Sequence, residues 1–172
     1  DHIEQKGSYV SSDYLRFDFS HFDKVSSNQL LQIESKINRF IIEGFDLKEY
    51  RELGLQKAKD MGAIALFGEK YGDEVRVISF GENNNNFSIE LCGGTHVNNT
   101  NDIIDFKIIS QSSVASGIRR IEAISNITVS NYLQNQKEMN LKNEKNNIDN
   151  IKSIIEKIKI LDPKYIYKIN ME

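Results

Sequence analysis

The sequence is short of cysteine, of long apolar runs and of positive charge, and each shortage removes a class of protein. A single cysteine, Cys92, among 172 residues rules out a disulfide framework within the chain. A lone thiol fits a reducing compartment. No run approaches the ~18 consecutive apolar residues that a membrane-spanning helix needs, so no membrane partner is expected. The net charge of -3 excludes a broadly basic protein that coats DNA, while a local phosphate contact stays open. No basic stretch followed by an apolar one marks a signal peptide, and no repeat recurs at a fixed period. The chain opens at Asp1 rather than Met and stops at Glu172 within an apolar/polar alternation. We read it as a piece of a longer protein.

What is present describes a folded domain. Hydrophobic residues make up 39% and charged residues 27%, which is the globular balance and not that of a disordered chain. The length is about one domain's worth at ~150 residues per domain, enough for a core without covalent staples.

The periodicities predict an α+β fold, with a mainly antiparallel sheet packed by helices and followed by a helical arm. Leu15, Phe17 and Phe19 alternate with Arg16, Asp18 and Ser20, the period of a half-buried strand. With Lys6–Val10 and the turn Ser11-Ser12-Asp13 they form a hairpin over residues 1–22. Leu30, Ile33, Ile37 and Ile41 recur at threes and fours behind a Ser26-Ser27-Asn28 cap, so residues 28–42 are expected as an amphipathic helix. Further strands are expected over residues 44–50, 63–67, 75–80, 87–91, 103–109 and 118–124, and a short helix over 55–61 that stops at Gly62. Asn83–Asn86 reads as a loop tip, and Ser-rich residues 110–117 as a connection. After Ser125 glycine disappears. Ile148, Ile151, Ile155 and Ile158 then form a coiled-coil-like seam that ends at Leu161-Asp162-Pro163. We therefore divide the chain into a body, residues 1–125, and an arm, residues 126–172.

The densest chemistry lies in Glu90-Leu91-Cys92-Gly93-Gly94-Thr95-His96, just past a strand. Thiolate and imidazole four residues apart make half of a zinc site, and the two glycines permit a tight bend that brings them together. Two other readings stand beside this one. Cys92 and His96 could be a nucleophile and its base, with the Gly93 and Gly94 N–H groups as an oxyanion hole. Cys92 could equally be a small buried hydrophobe. His2 and His21 are expected to stay outside the site. Arg119 and Arg120 face opposite sides of a strand, open either to a phosphate or to structural ion pairs with Glu122 or another acid.

Several segments in order carry a more specific signal. They are Gln5-Lys6-Gly7-Ser8, Leu15 to His21, Gly62 to Gly72, Glu90 to His96, and Ser116-Gly117-Ile118-Arg119-Arg120-Ile121-Glu122-Ala123. Together they closely resemble the editing domain of the alanyl-tRNA synthetase family over residues 1–125. A threonyl-tRNA synthetase editing core is similar, but the Cys-Gly-Gly-Thr-His context favours the alanyl family. The resemblance implies hydrolysis of serine or glycine wrongly esterified to tRNA(Ala). It implies Zn2+ held by Cys92 and His96 together with a His-x-x-x-His pair upstream of Asp1, with the metal either positioning the substrate or activating water. It places Gln5 and Thr95 near the substrate as catalytic residues, and Arg119 or Arg120 at the tRNA acceptor end. ATP and Mg2+ belong to a synthetase domain outside this chain. The partners implied are tRNA(Ala) and the rest of the synthetase, with no DNA, in the cytoplasm. A free-standing editing hydrolase of the same superfamily and a non-catalytic RNA-binding module are the alternatives.

Overall fold

The computed structural model describes residues 2–65, 70–82 and 85–164. It is α+β with antiparallel pairing among its strands, which divide between two sheets. The first sheet has the order β1-β2-β7-β6 and the second β3-β4-β5. Their strands are β1 (Gln5–Val10), β2 (Leu15–Ser20), β3 (Lys48–Gly54), β4 (Glu74–Glu82), β5 (Asn85–Leu91), β6 (Phe106–Ala115) and β7 (Ile118–Ser125). The helices are α1 (Ser27–Glu43), α2 (Leu55–Asp60) and α3 (Ile127–Leu161). Two compact units are distinguished, Asp1–Val129 and Ser130–Glu172.

In the first unit the expected hairpin forms with Tyr9 opposite Arg16 and Val10 opposite Leu15. Phe19, Val25 and Ile121 pack into one core cluster, with Leu30 of α1 and Ile108 against it. Helix α1 starts where its cap sequence predicts. The Ser26 hydroxyl accepts from Gln29 N–H, and the Gln29 side chain returns to the Ser26 backbone, which satisfies two orphan donors at once. The helix is fastened to β6 by polar bonds. The Asn38 side chain donates to Phe106 O at 2.8 Å and accepts from Phe106 N at 2.9 Å. Glu34 receives Lys107 Nζ at 3.1 Å and Ile108 N at 2.9 Å.

The strand expected over 44–50 begins later, at Lys48. Gly44 ends α1 at φ 73°, the left-handed turn that glycine permits. The Asn99 side chain then holds Gly44 O and the Asp46 carboxylate, so Asp46 makes only an isolated bridge, to Asn99. The strand expected over 103–109 also starts later, at Phe106, because Thr100–Ile103 form a turn of 3-10 helix capped by Asn99. The serines expected to form a connection instead continue β6 to Ala115. Ser110, Ser112 and Ser113 pair with Glu122, Arg120 and Arg119, and Gly117 at φ 70° closes the hairpin. Pairing, not apolarity, is what a strand requires; the Ser110 hydroxyl finds a partner across it in Glu122 at 2.7 Å, and the Ser113 hydroxyl bonds Ala115 O on its own strand.

The second sheet positions the site. Val75, Val77, Leu91 and Ala58 of α2 form its core cluster. Val77 pairs with Leu91 and Ile78 with Glu90. Of the strand expected over 63–67, Ile64 adds a parallel bridge to Glu90, while Leu66 and Phe67 lie outside the described residues. The Asn-rich tip is shorter than expected. Asn85 and Asn86 belong to β5, and Asn83 and Asn84 lie outside the described residues.

In the second unit α3 runs on to Leu161 and ends before Pro163. Its Ile148, Ile151 and Ile154 are exposed.

Candidate metal centre

The site is built where β5 runs out. The last ladder residues are buried, Leu91 at 2% exposure, and this anchors the strand end. Cys92 N still donates to Arg76 O at 3.2 Å, so the sulfur-bearing residue leaves a fixed sheet. Glu90, Cys92 and His96 each present one ligand atom, and these atoms lie within 4.8 Å of one another. All three side chains are half-buried. The shared environment expected for Cys92 and His96 is therefore present. Glu90 joins them, a third donor that the sequence reading quoted in the motif without assigning. It lies two residues before Cys92 on the same strand end, and that spacing was its available signal.

The donor set fits a zinc-like cation. Thiolate, imidazole and carboxylate are all zinc ligands. The Nε2 atom of His96 is buried with no hydrogen-bond partner, a cost that a bound cation would remove. The bend between Cys92 and His96 does not come from glycine's left-handed freedom, because neither Gly93 nor Gly94 has a positive φ. A Cβ on Gly93 would meet open space, so this residue leaves the approach to the sulfur clear. The Gly94 N–H donates to Cys92 Sγ at 3.4 Å. That donor is committed to the sulfur, which weakens its claim as an oxyanion-hole donor.

Gln5 lies on β1 and lines a cleft of about 470 Å³ together with Glu4, Phe17, Ile64, Ser88 and Glu90. Of the metal cluster, Glu90 lines this cleft, and Cys92 and His96 do not. Thr95 is exposed. His2 and His21 pair with each other, Nε2 to Nδ1 at 2.8 Å with stacked rings, and neither is a member of the Glu90, Cys92 and His96 group.

The two arginines of β7 differ. Arg120 donates through Nε and Nη2 to the two Asp18 oxygens, each at 2.7 Å. Its acid is Asp18 rather than Glu122, which binds Ser110. The Arg120 hydrogen bonds hold the Asp18 carboxyl below the usual aspartate range. Arg119 makes only a long contact to Gln111 Oε1 at 3.4 Å, and its Nε is buried without a partner.

Residues 75–122, from β4 through most of β7, match the family described as the threonyl and alanyl tRNA synthetase second additional domain. The class defined by fold, site and match is an accessory domain of an aminoacyl-tRNA synthetase. Curated relatives narrow it further. The alanine–tRNA ligase of Flavobacterium psychrophilum is 51% identical over 156 residues, which cover 91% of this chain and 16% of that protein. That of Christiangramia forsetii is 56% identical over 135 residues, 78% of this chain and 15% of the relative. The Clostridioides difficile enzyme is 45% identical over 168 residues, 94% of this chain and 18% of the relative. The chain belongs to the alanyl-tRNA synthetase family, and it spans about one sixth of the length of the curated relatives it matches.

Proposed function

We propose that the chain carries the metal-binding part of an editing site that hydrolyses Ser-tRNA(Ala) and Gly-tRNA(Ala) inside an alanine–tRNA ligase of the cytoplasm. The observation that carries this reading is the convergence of Glu90, Cys92 and His96 within 4.8 Å, with Glu90 also lining a cleft with Gln5. A synthetic site for alanine cannot strongly reject serine, which only adds a hydroxyl, so a second, hydrolytic site is needed.

Cys92 and His96, with Glu90 beside them, would hold Zn2+, and two further histidines upstream of Asp1 would complete the site. When bound, zinc supplies Lewis-acid polarisation of an ester carbonyl or a water ionised near neutral pH. The remaining work falls to side chains. The Gln5 amide offers both a donor and an acceptor to a serine hydroxyl. Alanine would leave that amide unpaired and is spared, while glycine is admitted by its size. Thr95 stands at the exposed edge, where the aminoacyl group arrives past the bare backbone of Gly93. Arg119 is the better contact for the tRNA acceptor end, because the Arg120 fork is already filled by Asp18. ATP and Mg2+ serve the aminoacylation domain of the parent enzyme, outside this chain.

The test uses a full-length alanine–tRNA ligase containing this segment. Cys92→Ala should abolish hydrolysis of Ser-tRNA(Ala) while leaving aminoacylation with alanine intact. Unchanged hydrolysis would refute the assignment. Binding of tRNA without any hydrolysis by the unsubstituted enzyme would favour the non-catalytic module instead. Gln5→Ala should slow clearance of serine by about tenfold, the value of one polar contact, and clearance of glycine by less.

A further inference from the structure

A loop that leaves a sheet loses its ladder partners, so its carbonyls turn to water and its shape loosens unless side chains replace the ladder. The loop bearing Cys92 and His96 has such a replacement. Arg76 of β4 accepts Cys92 N–H on its backbone carbonyl at 3.2 Å. Its side chain then reaches forward, and Nη1 donates to Cys92 O at 2.8 Å and to Gly94 O at 2.5 Å. Its Nε donates to Glu49 Oε1 of β3 at 2.6 Å. Glu49 also accepts from Arg51, Nε to the same Oε1 at 2.9 Å and Nη2 to Oε2 at 3.3 Å. These bonds hold the Glu49 carboxyl below the usual glutamate range, so it stays charged near neutrality.

One guanidinium therefore ties β3, β4 and the loop together. Bonds to the carbonyls of Cys92 and Gly94 confine Gly93 between them, and they fix the direction in which the Cys92 side chain leaves the backbone. The planar fork of arginine suits this task, and a lysine ammonium, a point charge on a flexible stem, does not. Outer-shell groups of this kind orient metal ligands, and their loss commonly weakens metal binding 10–100-fold.

We propose that Arg76, anchored by Glu49, is a positioning residue that sets the affinity of the Glu90, Cys92 and His96 cluster for a divalent metal. This rests on the metal reading given above, and the test separates the two. Zinc affinity is measured by competition with a chromophoric chelator in a full-length alanine–tRNA ligase containing this segment, which supplies the two upstream histidines. Cobalt(II) substitution reports the thiolate-to-metal absorption band, and thermal melts are recorded alongside. The variants are Arg76→Met, Arg76→Lys and Glu49→Gln, with the exposed Lys137→Ala of α3 as control. Arg76→Met should weaken zinc binding by about 10–100-fold and diminish the cobalt–thiolate band. Arg76→Lys should recover little of this loss. Glu49→Gln should shift both readouts the same way by less, and Lys137→Ala should shift neither. A merely structural Arg76 would lower the melting temperature and leave zinc affinity and the cobalt band of the folded chain unchanged, and that result overturns the proposal. If Arg76→Met does not fold, wild-type affinity in Glu49→Gln overturns it equally. Failure of the unsubstituted ligase to bind zinc or cobalt at this site would remove the metal reading itself, and this inference with it.

Discussion

At the scale of single residues, charge pairing sorts the arginines into those free for function and those already engaged. Asp18 and Arg120 join β2 to β7 through two short, charge-assisted bonds, the strong kind. Asp18→Asn should lower stability by about 2 kcal/mol at neutral pH, as measured by urea unfolding. The sign with pH follows from the lowered carboxyl. Its stabilisation is fully present above the unfolded aspartate value of about 3.9 and fades as the pH falls through the folded value. The gap between wild type and Asp18→Asn should therefore close in acid. Identical acid limbs and equal neutral stabilities would contradict this. The sequence offered Arg119 and Arg120 as equals, because the partner that sets them apart, Asp18, lies 102 positions from Arg120 and leaves no local trace. The spacing of Cys92 and His96 was legible for the opposite reason, since both come from one short stretch past a strand.

At the scale of elements, α1 is the clearest case of local signals agreeing with the fold. Its cap, its threes-and-fours and its terminal glycine all lie within the helix or one residue outside it. Ser26→Ala should cost about 1 kcal/mol, read by thermal or urea unfolding. The fastening of α1 to β6 was not legible, because it rests on Asn38 meeting the backbone of Phe106, 68 positions away. Asn38→Leu would take a donor from the Phe106 C=O, while the Phe106 N–H keeps the Asp105 carboxylate at 2.8 Å, and should cost about 1 kcal/mol. A neutral result would show that water replaces the side chain there. The same division explains the strand boundaries. β2 announced itself through apolar alternation, whereas the serine-rich half of β6 is a strand only because β7 lies beside it.

At the scale of the whole molecule, burial is concentrated in the first unit. Val77 and Ala123 are fully buried, as is Val129 at 1% exposure, whereas almost every residue of α3 from Ser130 onward is exposed or half-exposed. Backbone amides of β4 and β7 should therefore exchange far more slowly than those of Ser130–Leu161. Equal protection across α3 and the sheets, read by hydrogen exchange with mass spectrometry, would contradict this. The fold class was legible because strand and helix periods are local. The division of strands between two sheets was not, since it depends on which strands meet. The metal cluster joins both kinds of information, a local motif held by a distant arginine. X-ray absorption at the zinc edge tests it most directly. Zinc bound at this site in a full-length ligase containing the segment should show one sulfur neighbour at about 2.3 Å with nitrogen or oxygen neighbours near 2.0–2.2 Å, and the sulfur should vanish in Cys92→Ala. A zinc shell without sulfur in the unsubstituted chain, or no bound zinc, would contradict the account.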